Sequence, residues 1–88
     1  MEFEWDPKKA AQNKEKHGVS FEDAVVVFSG PTLTERSDRK GERRWIAVGR
    51  LKGRLVTVVY TRRGEAIRII SARRARANER EWYRTEIG

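Results

Sequence analysis

The feature that most constrains the fold is a set of β-rich segments between residues 32 and 72, joined by short polar connections. β-Branched and aromatic side chains are concentrated in each segment, and glycine and charged residues separate one segment from the next. Strands joined by such short connections are antiparallel neighbours. The sequence therefore predicts a four-stranded antiparallel meander, formed by TLTER, RRWIAVG, RLVTVVYT and AIRIIS.

One short strand and two helices are predicted ahead of the meander. Residues 2–5 alternate acidic and aromatic side chains, as a half-buried strand does. Asp6, followed by Pro7, is the predicted N-cap of a first helix, and Gly18 can end that helix in the left-handed conformation. A second helix is expected after Ser20, because apolar residues recur at i, i+3, i+4 and i+7 up to Phe28.

The chain is expected to close with a third helix, which begins at Ala75. A length of 88 residues leaves room for one modest core, so we predict one domain, residues 1–88. Its predicted fold class is α+β: strand, helix and helix, followed by a four-stranded antiparallel meander and a C-terminal helix.

Composition narrows the classes of function. The chain has no cysteine and one histidine, so a disulfide framework and a cysteine-based zinc site are excluded, and we expect no metal and no cofactor. A formal net charge of +7 favours a polyanionic partner, either nucleic acid or an acidic protein. Because no run of about eighteen apolar residues and no apolar leader is present, we expect a soluble cytoplasmic protein.

Four segments together resemble a known protein family. WD, KHGVSFEDA, GERRW and RIISARRA, followed by ER and a tyrosine in the last helix, are similar to the BrnT family of type II toxin-antitoxin modules. The resemblance spans Phe3 to Tyr83. It implies a RelE-like fold and a small RNA-cleaving toxin that inhibits translation. It also implies a cognate antitoxin with a DNA-binding part of the ribbon-helix-helix type, and we expect an acidic antitoxin segment to cover the basic face.

A ribonuclease that works without metal needs a base, an acid and cations around the phosphate. Three candidates for proton transfer are His17, Lys16 and Glu42. Histidine has its ordinary pKa near neutrality. His17 and Lys16 also stand at a predicted helix end, however, where they would complement the helix dipole. Glu42 lies in a predicted turn beside two arginines, where the alternative is an ordinary ion pair.

Arginines supply the candidate phosphate ligands. Arg68 lies inside an apolar strand, where a lone guanidinium is costly unless it is partnered or faces a concave site. We expect Arg68, Arg73 and Arg74 to converge on one phosphate, and we assign the first two to catalysis. For Arg76, Arg80 and Arg84 the alternative is a solvated helix face. For Tyr60 and Tyr83 the alternative is a position in the core. The predicted RNA contacts are Arg44, Tyr60, Arg74, Arg76, Arg80 and Tyr83.

Two interpretations of function follow. The leading one is a metal-independent endoribonuclease toxin, in which the ribose 2′-hydroxyl attacks the phosphodiester. The alternative is a non-catalytic basic module that binds nucleic acid or the antitoxin. For such a module, affinity falls steeply with salt and no single arginine is decisive.

Overall fold

The computed structural model describes all residues, 1–88. Its eight elements, in chain order, are β1 (Glu2–Glu4), α1 (Pro7–His17), α2 (Phe21–Val27), β2 (Thr32–Arg36), β3 (Trp45–Leu51), β4 (Arg54–Arg63), β5 (Ala66–Arg74) and α3 (Ala77–Glu86). The predicted α+β class and order of elements are confirmed. Strand β5 extends three residues beyond the predicted segment AIRIIS, and the last helix begins at Ala77 rather than Ala75.

The five strands form one mixed sheet in the order β1-β5-β4-β3-β2. Strands β2 to β5 are antiparallel neighbours, as the short connections predict. Strand β1 pairs in parallel with β5, and Phe3 lies opposite Ile67. The first and last strands of the chain therefore lie side by side at one edge of the sheet.

The helix ends follow the local signals in the sequence. The Asp6 carboxylate accepts a hydrogen bond from the Lys8 N–H at 2.8 Å, and the Ser20 hydroxyl accepts one from the Asp23 N–H at 3.0 Å. Gly18 has φ of 73°, the left-handed conformation that ends α1. Both predicted N-caps and the predicted glycine stop are confirmed.

Helix α2 packs on one face of the sheet and forms the main core with it. Phe21, Ala24 and Val27 are fully buried there against apolar side chains of β3, β4 and β5. The approach is closest at Gly49 of β3, where an added Cβ would lie 2.8 Å from Val27 Cγ1. Only glycine fits at this crossing without displacing α2.

Helix α1 lies against the part of the β5 edge that β1 does not cover. The buried Asn13 side chain accepts a hydrogen bond from the Ala72 N–H at 3.1 Å and donates one to the Ala72 carbonyl at 2.8 Å. It also donates to the Val19 carbonyl at 3.0 Å. This amide therefore replaces a strand partner for β5 and fixes the C-terminal end of α1 beside the sheet.

Helix α3 covers only part of the second face of the sheet. Its buried Tyr83 packs with Val48, Leu55 and Ala75 in a smaller cluster. The rest of this face carries no helix, and we call it the open face. None of the three helices is long and apolar enough to cross a membrane.

Candidate active site

A β-bulge brings the two predicted catalytic arginines to the open face. Arg68 and Arg73 are five residues apart, so a regular strand would point them to opposite faces. Strand β4 instead pairs Thr61 with Arg68 and Thr57 with Arg73, and Ile70 has no cross-strand partner. Residues directly opposite in an antiparallel pair share a face, and Thr57 and Thr61 share one. The extra residue in β5 therefore places both guanidinium groups on one face.

A cavity of about 440 Å³ on the open face collects five of the predicted site residues. The end of α1 contributes two of them, the start of β3 one, and the junction of β5 with α3 two. No acidic residue lines this cavity, which we call the catalytic cavity. Its predicted members are Lys16, His17, Arg44, Arg73 and Arg76, and its other members are Ser37, Arg39, Ile46, Val59 and Ser71.

The other two predicted catalytic residues line an adjoining cavity of about 260 Å³. Arg68 and Glu42 both lie there, together with Lys9 of α1. Arg44 lines this cavity as well as the catalytic cavity, so the two are neighbours on the open face. All five predicted catalytic residues therefore lie on one side of the sheet, around Arg44.

Arg73 is held by a carboxylate rather than left free. Its guanidinium donates two hydrogen bonds to Glu79, at 2.8 and 3.0 Å, and the same carboxylate accepts from the Thr57 hydroxyl and the Arg76 N–H. Burial raises the pKa of Glu79, but the hydrogen bonds from Arg73, the Arg76 N–H and Thr57 outweigh it and lower that pKa to about 2. The group is therefore an ionised anchor for Arg73.

Two further ion pairs position arginines of the open face. Arg68 donates to Glu4 of β1 at 3.0 Å, and Arg44 donates to Glu42 at 2.6 Å. Each pair uses one nitrogen of the guanidinium, so other N–H donors remain for a ligand. These contacts fix the side chains while leaving part of their hydrogen-bonding capacity unused.

His17 and Lys16 are both exposed at the end of α1. The imidazole makes no hydrogen bond in the structure, and the last turn of the helix is closed by the Gly18 N–H, which donates to the Lys14 carbonyl at 2.8 Å. His17 therefore does not hydrogen bond to the carbonyl groups at the helix end, although its position there still suits the helix dipole.

The geometry corrects the prediction for the two tyrosines. Tyr60 is 2% exposed and packs against Trp45 and Phe28 in the main core, with ring centroids 6.0 and 5.3 Å away. Tyr83 is 1% exposed, and its hydroxyl donates to the Pro31 carbonyl at 3.0 Å. Neither ring can stack on a base while the core is intact, so the core alternative applies to both.

Arg74 and Arg80 are not brought to the catalytic cavity. Arg74 lies opposite Val56, a residue of the main core, so it points to the other face from Arg73. The predicted convergence of Arg68, Arg73 and Arg74 on one phosphate is therefore wrong. Arg80 donates to the Ala75 carbonyl at 2.6 Å and lines a different cavity, together with Arg74.

Sequence reasoning missed several residues of the open face, among them Arg39, Ser71 and Lys9. Arg39 reaches it because Lys40 and Gly41 have φ of 48° and 79°, which turns the chain back on itself. Ser71 faces the catalytic cavity because the bulge shifts the alternation of side chains after Ile70. Lys9 could have been found, because it stands seven residues before Lys16 and therefore on the same side of α1.

A comparison with models of protein families identifies a match over most of the chain. A family model described as ribonuclease toxin, BrnT, of type II toxin-antitoxin system matches residues 5–79. The matched range contains every residue that lines the catalytic cavity. No curated protein matches the chain.

Proposed function

Since the chain belongs to the BrnT family of ribonuclease toxins of type II toxin-antitoxin systems, we propose that it is an endoribonuclease whose active site is the open face of the sheet. The observation that carries this proposal is the catalytic cavity. It gathers Lys16, His17, Arg44, Arg73 and Arg76 from three separate stretches of the chain without an acidic residue in its lining. Such a surface attracts a phosphodiester and stabilises additional negative charge on it.

The proposed reaction needs no metal because guanidinium groups supply the positive charge. The ribose 2′-oxygen forms a bond to phosphorus and the bond from phosphorus to the 5′-oxygen breaks, which leaves a 2′,3′-cyclic phosphate and a free 5′-hydroxyl. A base takes the 2′-hydroxyl proton and an acid protonates the departing oxygen. Arg44 lies between the two cavities, where it can contact the phosphate, and Arg68 and Arg76 lie on either side of it.

Proton transfer is assigned to His17 and Glu42, on the two sides of Arg44. His17 is exposed and makes no hydrogen bond, so its imidazole is available to substrate. Glu42 is half exposed, and Arg44 holds its carboxylate at 2.6 Å. Lys16 is the alternative to His17, since it lines the same cavity.

Neutralisation by an antitoxin is part of the proposal. A type II toxin has an antitoxin partner, and an acidic segment of that partner would bind the open face and exclude RNA. We propose that the partner's DNA-binding part is of the ribbon-helix-helix type. RNA cleavage would take place in the cytoplasm and inhibit translation.

One observation favours the alternative of a non-catalytic basic module. Arg44, Arg68 and Arg73 all pair with carboxylates, which is also how arginines serve a purely structural role. In that case, RNA would bind through phosphate contacts and remain intact.

The test is incubation of the purified protein in EDTA with an end-labelled single-stranded RNA and its 2′-deoxy counterpart. We expect cleavage of the RNA alone, with 2′,3′-cyclic phosphate ends on the products. Binding of both strands without cleavage of either would reject the proposed reaction on free RNA and favour the non-catalytic module.

A further inference from the structure

A second basic cavity lies where the β3–β4 hairpin, the end of β5 and α3 meet. Its volume is about 240 Å³, and five of its seven lining residues are arginines. The other two are Gly53 and Leu55, so no carboxylate side chain lines it. We call this cavity the arginine groove, and its arginines are Arg50, Arg54, Arg74, Arg80 and Arg84.

Most of the charge in the arginine groove has no partner within the protein. Arg80 donates to the Ala75 carbonyl at 2.6 Å, and Arg50 donates to a main-chain oxygen of Gly88 at 3.1 Å. The remaining three side chains make no hydrogen bond or ion pair: Arg54, Arg74 and Arg84. Like charges gathered in one concavity repel each other, and a bound polyanion would relieve that repulsion.

The arginine groove is continuous with the catalytic cavity. A third cavity of about 410 Å³ lies between them and is lined by His17, Arg54 and Arg74. His17 also lines the catalytic cavity, and the two arginines also line the arginine groove. The carboxylate in this intermediate cavity belongs to Asp23 and lies 3.7 Å from the Lys52 ammonium group.

Two consecutive arginines at the end of β5 line the catalytic cavity and the arginine groove, respectively. Arg73 faces the catalytic cavity, and Arg74, the next residue, faces the arginine groove. A polyanionic chain that leaves the catalytic cavity past His17 would therefore meet guanidinium groups, and the one carboxylate on its way, Asp23, is paired with Lys52.

We propose that the arginine groove binds backbone phosphates of the RNA strand beyond the nucleotides at the cleaved bond. This inference rests on the proposed function, because it takes RNA as the substrate. Arginine clusters recognise acidic peptides as well as phosphates. The link to the catalytic cavity through the intermediate cavity, which His17, Arg54 and Arg74 line, favours the RNA strand as the occupant. Guanidinium groups match phosphate in a bidentate manner, and contacts of this kind position a strand without reading its sequence.

The test compares two double variants of equal charge. Arg54→Gln with Arg84→Gln removes two exposed cations of the groove. Lys8→Gln with Lys14→Gln removes two exposed cations of α1 that line neither site. Binding of a 2′-O-methyl RNA of about sixteen nucleotides, which cannot be cleaved by 2′-hydroxyl attack, is measured over a range of salt concentrations. Cleavage of an unmodified RNA of about four nucleotides is measured in parallel.

For the groove variant we expect affinity for the long RNA to fall on the order of 10-fold. The slope of log affinity against log salt should become shallower by about 1.4, because each phosphate that the protein no longer neutralises reduces it by about 0.7. The short RNA should be cleaved at the wild-type rate, and the α1 variant should retain most of the wild-type slope.

Equal slopes for the two double variants would overturn the inference. So would unchanged RNA binding by the groove variant together with weaker binding of an acidic antitoxin, because the groove would then serve a protein partner. A wild-type protein that binds the long RNA through the groove but cleaves no RNA would count against the proposed function alone, since groove binding is measured without cleavage.

Discussion

Arg73 and Glu79 form a bidentate ion pair that joins the end of β5 to the first turn of α3, with nitrogen to oxygen distances of 2.8 and 3.0 Å. Both side chains are largely buried, at 17% and 9% exposure. The pair orients Arg73 at the wall of the catalytic cavity and holds α3 on the sheet. A residue of the candidate active site is thus also part of the structural framework.

Glu79→Gln should lower the free energy of unfolding by about 3 kcal/mol, because it leaves the largely buried Arg73 guanidinium without its counter-charge. Urea denaturation measures this loss. Glu81→Gln, at an exposed position of the same helix, is the matched control and should change stability by less than about 0.5 kcal/mol. Equal stability of the two variants would show that the ion pair contributes nothing.

The low pKa of Glu79 predicts a specific acid sensitivity. Its pKa in the folded protein is about 2 and its ordinary value is 4.5, so the folded state favours the ionised form. The resulting stability is fully present above pH 4.5 and is lost as the pH falls towards 2. Unfolding free energies of the wild type and Glu79→Gln should therefore differ by a constant amount at neutral pH and converge below pH 4.5. A difference that does not change with pH would contradict this assignment.

Gly49→Ala should destabilise the fold by about 1–3 kcal/mol, because the new methyl group would lie 2.8 Å from Val27 Cγ1 and 3.3 Å from the Val27 carbonyl oxygen. Gly30→Ala is the control, since a Cβ there meets nothing within 4 Å. Both are compared by urea denaturation. If Gly49→Ala is as stable as the control, α2 does not approach β3 as closely as described.

His17→Gln should lower kcat for RNA cleavage by about 10²- to 10⁴-fold, the usual contribution of a general acid or base. Lys14→Gln, an exposed change in the last turn of the same helix, should leave kcat within about two-fold of the wild type. Melting temperatures of both variants test whether the fold is retained. If His17→Gln turns over RNA at the wild-type rate, His17 is not the proton-transfer group, and Lys16 becomes the candidate for that role.

The sequence predicted the features that depend on short-range interactions. The caps at Asp6 and Ser20 and the stop at Gly18 each involve residues within four positions of one another, and all three are confirmed. The antiparallel meander follows from short connections in the same way.

Features that depend on distant parts of the chain were not predicted. Nothing near Asn13 shows that its amide pairs with Ala72, 59 residues away. The bulge at Ile70 breaks the alternation along β5, so spacing alone could not show that Arg73 shares a face with Arg68 and that Arg74 does not. Tyr60 was expected to contact RNA, with a core position as the alternative, and the residues next to it in the sequence do not show that Phe28 packs on its side of the sheet.

The most direct measurement on the open face is the single-turnover cleavage rate of saturating RNA by Arg68→Gln and Glu4→Gln. Both substitutions break the same ion pair, whose atoms lie 3.0 Å apart, but only the first removes the cation from the open face. We expect Arg68→Gln to lose about 10²- to 10³-fold in rate and Glu4→Gln to stay within a few-fold of the wild type. Equal losses would show that the ion pair matters only for structure, and no loss in either variant would place the active site elsewhere.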